Sequence, residues 1–581
     1  MERYTISISA EAGKIDRYSA KELSDYLIKS VGCKTSIEIN KKLLPHQLLL
    51  STKNFCPKSY ELSSTKGLSK EGYSIKIASK SVCVSGIDAR GLLYGVYSFL
   101  EDHIGCRWYA IDCQYIPRIS ILHLLSRSYS YSPLIKWRSI LYYEMSDPYL
   151  SGVLKLNGNA QQQSEVNKNR FSIRERFADW GYWCHSLYNI VPPSLYGTHP
   201  EYFSEVKGKR IVPEEGHGGT QLCLSNSDIV NISVNKLKEV MKIPQKGLPI
   251  WADSIAYYWS VSQMDGEGYC TCPNCKALDD YNNSHSGSIL SFVNKVASYF
   301  PNKKIATLAY IYSRKTPLHI KPASNVAIQL CAIETARNGI NFPISKSPIH
   351  TSFRKDMVNW GKICNDIIIW DYVIQFQNLI SPFPNFNVMQ DNIRFYSNNH
   401  ATGIFCQGNR EKGGEFAELR SYLLSKLLWN PNCNVKQLMN DFINTYYGAA
   451  GQYIKKYISK MESALSQSGK PLSMDENPEQ HSGDYLSKAC IDEYNRLFNK
   501  AEAAIKNDST FLRRVQKERM SLIYAQIRLK YGTPTERQSQ LDYLYQLAIA
   551  NNIWMFSEVD WRPDQTGNRE MMKEKMKKFL E

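Results

Sequence analysis

Residues 366–373 read DIIIWDYV, and residues 402–408 read TGIFCQG. Each is a short, nearly continuous apolar run, and a longer stretch of helical character separates them. Strands of a parallel sheet have this composition because helices cover both faces. The pattern recurs upstream in LIKWRSIL (134–141), GVLKLN (152–157), TQLCLS (220–225), IAYYWSVSQ (255–263), KIATLAYIY (304–312) and NVAIQLCAI (325–333). Eight such strands alternating with helices over about 310 residues predict an α/β fold of the (β/α)8 TIM barrel type. An open doubly wound sheet is the alternative.

The flanks read differently. Residues 1–125 mix YTISIS, the helical SAKELSDYLIKSVG, the hairpin-like YSIKIASKSVCVSG, and an amphipathic helix running into a strand in ARGLLYGVYSFLEDHIGCRWYA. They predict an accessory N-terminal α+β domain. The Ser/Tyr-rich SRSYSYSP reads as a linker to a barrel over 130–445. From 446 to 581 helical spacing dominates, predicting a C-terminal helical domain.

Composition narrows the function. Hydrophobic residues make up 43% and charged residues 22%, as in a soluble globular chain. The formal net charge of +16 raises nucleic acid as a partner. Yet the basic residues are thinly spread, the densest group being the terminal MMKEKMKKFLE, and no arginine-rich arm accompanies them; the reading is no nucleic acid. No apolar run is long enough to span a membrane. MERYTISIS enters an alternating strand with no signal peptide, which leaves a cytoplasmic protein or a missing export signal. Aromatics at 12%, with 38 Tyr and 11 Trp, suit sugar-binding surfaces, which need flat apolar faces with polar edges.

In a barrel, reactive groups collect where strands end. Those positions hold Glu144, Asn157, Asp265, Glu267, Tyr310, Tyr312, Glu334, Trp370, Asp371, Tyr372, Glu415 and Glu418. Carboxylates and aromatics on one face are the layout of a glycosidase, in which two carboxyl groups flank the scissile bond. The loop VSQMDGEGYCTCPNC (261–275) adds Cys270, Cys272 and Cys275, spaced close to a structural zinc motif. A fourth ligand, Cys223 or Cys331, reaches them only if the loop folds back. The reading is therefore a reduced or disulfide-pinned loop bracing the rim, with no metal and no cofactor.

GLLYGVYSFLEDHIGCRWYA resembles the accessory domain that precedes the barrels of α-glucuronidases and β-hexosaminidases. HPEYFSEVKGKR, QLCLSNSDIV, VSQMDGEGYCTCPNC, IATLAYIYSRKTP, IQLCAIETARN, IIIWDYVIQFQNLISPFPNF and LLSKLLWNPNCNVKQLMNDFINTYYG together resemble glycoside hydrolase family 163. The resemblance covers roughly residues 85–450. It implies an endo-β-N-acetylglucosaminidase of gut bacteria that releases complex-type N-glycans from glycoproteins, acting in the periplasm or at the cell surface. It further implies substrate-assisted catalysis, in which the substrate's 2-acetamido group is the nucleophile. Asp265 is then the orienting carboxylate, with Glu267 or Glu334 as general acid. Tyr310, Trp370 and Tyr372 wall the sugar, Asp371 bonds its hydroxyls, and Asn157 and Glu415 complete the binding set. Related hexosaminidase barrels place two adjacent acids at this strand end, whereas here Gly266 separates them. A glycosidase of other specificity (exo-hexosaminidase or α-glucuronidase-like) and a silent glycan-binding protein remain as alternatives.

Overall fold

The computed structural model describes residues 3–39, 47–52, 67–78, 81–159, 178–213, 220–244, 248–252, 255–337, 342–558 and 564–581. The chain forms two compact units: Met1–Lys136 with Tyr149–Leu156 and Pro249–Ala252, and the remainder.

The first unit contains β1 (Arg3–Ile8), β2 (Lys34–Ile39), β3 (Gln47–Thr52), β4 (Tyr73–Ala78), β5 (Ser81–Gly86), β6 (Arg107–Ala110), β7 (Cys113–Tyr115) and β8 (Arg127–Tyr131). One sheet runs β2-β1-β3-β5-β4-β8, parallel up to β5 and antiparallel beyond it. The predicted hairpin is the β4–β5 pair. SRSYSYSP is no linker: its alternating Tyr and Ser form the edge strand β8, paired with β4. Helices Lys14–Val31 and Ala89–Phe99 pack on each other and on the sheet. The first stops at Gly32, whose φ of 67° suits glycine. The second starts at Asp88, whose carboxylate accepts from Gly91 N–H at 2.7 Å.

The second unit holds β9 (Trp137–Leu141), a short pair β10 (Glu205–Val206) and β11 (Lys209–Arg210), then β12 (Tyr258–Ser260), β13 (Lys304–Ala309), β14 (Val326–Cys331), β15 (Ile367–Tyr372) and β16 (Ala401–Gln407). Six of these form a curled, wholly parallel half-barrel, ordered β12-β13-β14-β15-β16-β9. The first strand closes against the last, from Trp137 beside Gly403 to Leu141 beside Gln407.

Two predicted strands are absent. GVLKLN continues helix Pro148–Val153 into a turn, with Lys155 at φ 64° and paired to Glu101 at 2.5 Å. A short apolar run does not by itself distinguish strand from helix. TQLCLS instead runs against 202–204, with a bridge between Phe203 and Leu222 and Cys223 N–H donating to Tyr202 O at 2.9 Å.

Two short segments take the vacated places between the sheet edges. Beside β9, Gly158 N–H donates to Arg138 O at 2.9 Å, and the side chains of Asn157 and Asn159 accept from Arg138 and Ile140 N–H at 2.8 and 3.0 Å. Side-chain amides thus replace part of a backbone ladder. Beside β12, Gly181 N–H donates to Tyr258 O at 2.8 Å and Ser260 N–H to Tyr182 O at 3.0 Å. Ala178 N–H joins the two segments by donating to Gly158 O at 3.1 Å. A Cβ on Gly181 would lie 2.3 Å from the Trp259 ring. Gly181→Ala is therefore expected to cost about 1–3 kcal/mol by overpacking, read as a lower midpoint in urea denaturation.

Alternate strand residues point inward, and Trp137, Ala306, Leu308, Ala327, Cys331, Ile368 and Phe405 join Trp180, Trp183 and Cys184 in one apolar core. Segments between the C-terminal helices bond the loops that follow the strands: Arg337 N–H donates to Leu472 O, Phe376 N–H to Met474 O and Leu379 N–H to Phe556 O, each at 2.7 Å. Among the described residues no helix is long and apolar enough to cross a membrane.

Candidate active site

The strand ends bring one group of the sequence candidates together. Asp265, just beyond β12, has a side chain that is 41% exposed, open enough to meet a ligand. Its Oδ1 accepts from the Tyr310 hydroxyl at 3.2 Å and lies 4.0 Å from His185 Nε2. Burial raises the Tyr310 hydroxyl above the ordinary tyrosine range, and the charges of Asp265 and Glu334 push it further. Both carboxylates also act on the Cys331 thiol, which burial holds high. The charges of Asp265 and Glu334 thus both act on Tyr310 and Cys331, at the ends of β13 and β14. The Glu334 side chain is 46% exposed and pairs with Arg314 at 2.7 Å; Arg314 is held in turn by Asp356 at 2.8 Å.

Tyr372 belongs to the same group: burial raises its hydroxyl, with further contributions from Cys331, Tyr310 and Asp265. Trp370 stacks beside Tyr372 with centroids 6.2 Å apart and planes 21° apart. Its indole N–H donates to Gln407 Oε1 at 2.7 Å, and Trp183 lies 5.5 Å away. Trp370 is half-buried and Tyr372 buried; an aromatic face with an accessible carboxylate is the pairing a sugar ring meets in a glycosidase.

Glu267 stands apart. An extended path would put it on the same side as Asp265, but Gly266 and Gly268 have φ of 99° and 75°. Those left-handed turns bend the chain out of strand geometry. Glu267 is exposed, and its carbonyl accepts from Gln221 Nε2 at 3.0 Å.

Three further candidates serve the fold. Asp371 points away from its neighbours Trp370 and Tyr372, onto the outer face of β15, where it is buried and paired with Arg337 at 3.0 Å. Burial raises its carboxyl and Arg337 opposes that. Glu415 is wholly buried against Arg420. Asn157 is buried in the ladder beside β9.

Sequence reasoning missed His185, Gln263 and Arg314. His185 is at φ 46°, with Nδ1 2.8 Å from Gln263 O; that contact assigns Nδ1 as the protonated nitrogen and turns Nε2 toward Asp265. Burial lowers the His185 pKa, with Asp265 and the Gln263 carbonyl acting against it. Gln263 also donates to Tyr310 O at 3.2 Å and accepts from the Ser313 hydroxyl at 2.6 Å, which locks the Tyr310 turn. His185 lies far from Asp265 in the chain and Arg314 twenty residues before Glu334, so no spacing signal links them, whereas Gln263 stands two residues before Asp265 at the same strand end.

The cysteine loop meets the condition set for a fourth ligand. It does fold back, and the sulfurs of Cys223, Cys270, Cys272 and Cys275, all buried, lie within 4.8 Å of one another. Cys331 is elsewhere, in the sheet interior. The described cysteines form no disulfide.

Comparison with known proteins agrees with this architecture. Residues 4–99 match the glycosyl hydrolase family 67 N-terminus. No curated protein matches the chain. Among solved structures, a family GH115 4-O-methyl-α-glucuronidase with specificity for decorated arabinogalactans superposes with a TM-score of 0.58 at 11% identity, covering 100% of this chain and 79% of that one. A Flavobacterium johnsoniae chitobiase gives a TM-score of 0.44 at 12% identity over 100% of this chain and 96% of its own. At such identity the first likeness concerns the fold alone. Residues 108–459, more than half of the protein, match the domain of unknown function DUF4838; the chain belongs to that family.

Proposed function

We propose that the protein is a retaining endo-β-N-acetylglucosaminidase of the family 163 type, cutting complex-type N-glycans between the two core GlcNAc residues. One observation carries the reading: an accessible Asp265 held by the Tyr310 hydroxyl at a parallel strand end, supported by an accessible Glu334 whose charge also acts on Tyr310 and by the stacked Trp370–Tyr372 pair. The half-barrel, its edges bridged by 157–159 and 178–182, serves as a closed (β/α)8 barrel in this account. Asp265 accepts the acetamido N–H of the sugar and balances the charge of the oxazolinium intermediate that forms as the acetamido oxygen attacks the anomeric carbon. Glu334 protonates the leaving oxygen, and water then opens the intermediate. The enzyme works in the periplasm or at the cell surface, where glycoproteins are met.

Incubation with a complex-type N-glycoprotein and mass analysis of both products tests this. The expected result is a protein carrying one GlcNAc per site and a glycan ending in the other. Loss of terminal sugars only would assign an exo-hexosaminidase, and release of uronic acid an α-glucuronidase-like enzyme; either overturns the endo reading. Glu334→Gln should lower kcat by about 10²–10⁴-fold and Glu267→Gln far less, measured on the same substrate.

A further inference from the structure

We propose that Cys223, Cys270, Cys272 and Cys275 bind one structural zinc ion as four thiolates, and that this ion anchors the loop carrying Asp265. Tetrahedral zinc with Zn–S bonds of about 2.3 Å sets its sulfurs about 3.8 Å apart. Here Cys223 and Cys272 are 3.6 Å apart, and all four sulfurs fall within 4.8 Å. A disulfide requires about 2.05 Å, and thiols are weak donors with little to gain from facing one another.

The surroundings are those of thiolates. Glu205 N–H donates to Cys270 Sγ at 3.3 Å, and Arg210 Nη1 approaches the same sulfur at 3.9 Å. The Ser225 hydroxyl lies 3.6 Å from Cys223 and Cys272 and accepts from Cys275 Sγ at 3.2 Å, while Glu205 N–H and Arg210 donate toward Cys270. Such outer donors offset the charge that four thiolates leave on a divalent ion and hold its ligands in place. All-sulfur ligation selects a soft or borderline ion over magnesium or calcium. A complete set of four protein ligands leaves no open position, so the ion is structural rather than catalytic.

The site ties two segments distant in sequence. Cys223 lies on the stretch paired with 202–204, whereas Cys272 and Cys275 open helix Pro273–Asn282. Gln221, two residues before Cys223, clamps the other end of the loop: its Oε1 accepts from Met264 N–H at 2.8 Å, and its Nε2 donates to the Met264 and Glu267 carbonyls at 3.0 Å. Asp265 thus sits within the amide clamp, and the cysteine knot fixes the loop just beyond it. The zinc site itself does not depend on the substrate assigned above.

The test uses the full chain, purified without a metal-affinity step and dialysed. Elemental analysis should find one zinc per chain, and X-ray absorption should show four sulfurs at about 2.3 Å. Cys275→Ser should retain about tenfold less zinc or lower, whereas Cys364→Ser, a buried thiol outside the cluster, should keep it. If Cys275→Ser does not fold, mercurial titration of the parent protein supplies the readout, since zinc should leave as the four thiols react. A parent chain that takes up no zinc when it is supplied, iron in the sulfur shell, or disulfides among the four cysteines would overturn the proposal.

Discussion

Asp265→Asn is expected to lower kcat on the glycoprotein substrate by about 10²–10⁴-fold while leaving stability within about 0.5 kcal/mol. The side chain is open to solvent, and an amide oxygen still accepts from Tyr310, so packing is preserved. What is lost is the negative charge. That charge is needed when the acetamido group becomes cationic in the oxazolinium-like transition state, and much less when the neutral substrate binds. The effect should therefore fall on kcat rather than KM, as expected of an interaction made mainly in the transition state. Equal rates for the variant and the parent would remove Asp265 from the chemistry.

Glu415→Ala is expected to destabilise the protein by about 3–5 kcal/mol. Glu415 and Arg420 are fully buried, and Arg420 also donates to Phe383 O at 2.9 Å and lies over the Phe386 ring at 4.4 Å. Removing the carboxylate leaves a guanidinium with no counter-charge in an apolar setting. Replacing both residues by leucine should recover part of the loss, since an apolar pair needs no compensation. Burial raises the Glu415 pKa from 4.5 to about 6, against the pull of Arg420. The folded protein thus holds this proton more tightly than the unfolded chain does. Its contribution to stability is full below pH 4.5 and is lost as pH rises through 6, so Glu415→Gln should flatten the stability profile across that window. Urea denaturation as a function of pH measures both effects; a change under about 1 kcal/mol for Glu415→Ala would show the pair to be dispensable.

Much of the sheet was legible because DIIIWDYV, NVAIQLCAI and their relatives are apolar on both faces. The two missing strands were not. GVLKLN and TQLCLS have equally apolar compositions, but the places assigned to them are filled by side-chain amides of Asn157 and Asn159 and by the stretch around Trp180. Alternation along β15 already separates Asp371 from Trp370 and Tyr372, since neighbours in a strand face opposite ways. For Glu267 the signal was Gly266, whose positive φ takes the chain out of the strand. His185 and Arg314 carried none, because only tertiary folding brings them to Asp265 and Glu334. The fourth cysteine was visible as a candidate, but only the folded loop places Cys223 rather than Cys331 beside the other three.

The most direct test of the central claim is the anomeric form of the glycan at the moment of release, followed by proton NMR before mutarotation. Attack by the acetamido oxygen and then by water inverts the anomeric carbon twice, so the first product should be the β-anomer. An α-anomer appearing first, or no glycan released by the parent enzyme, would contradict the account.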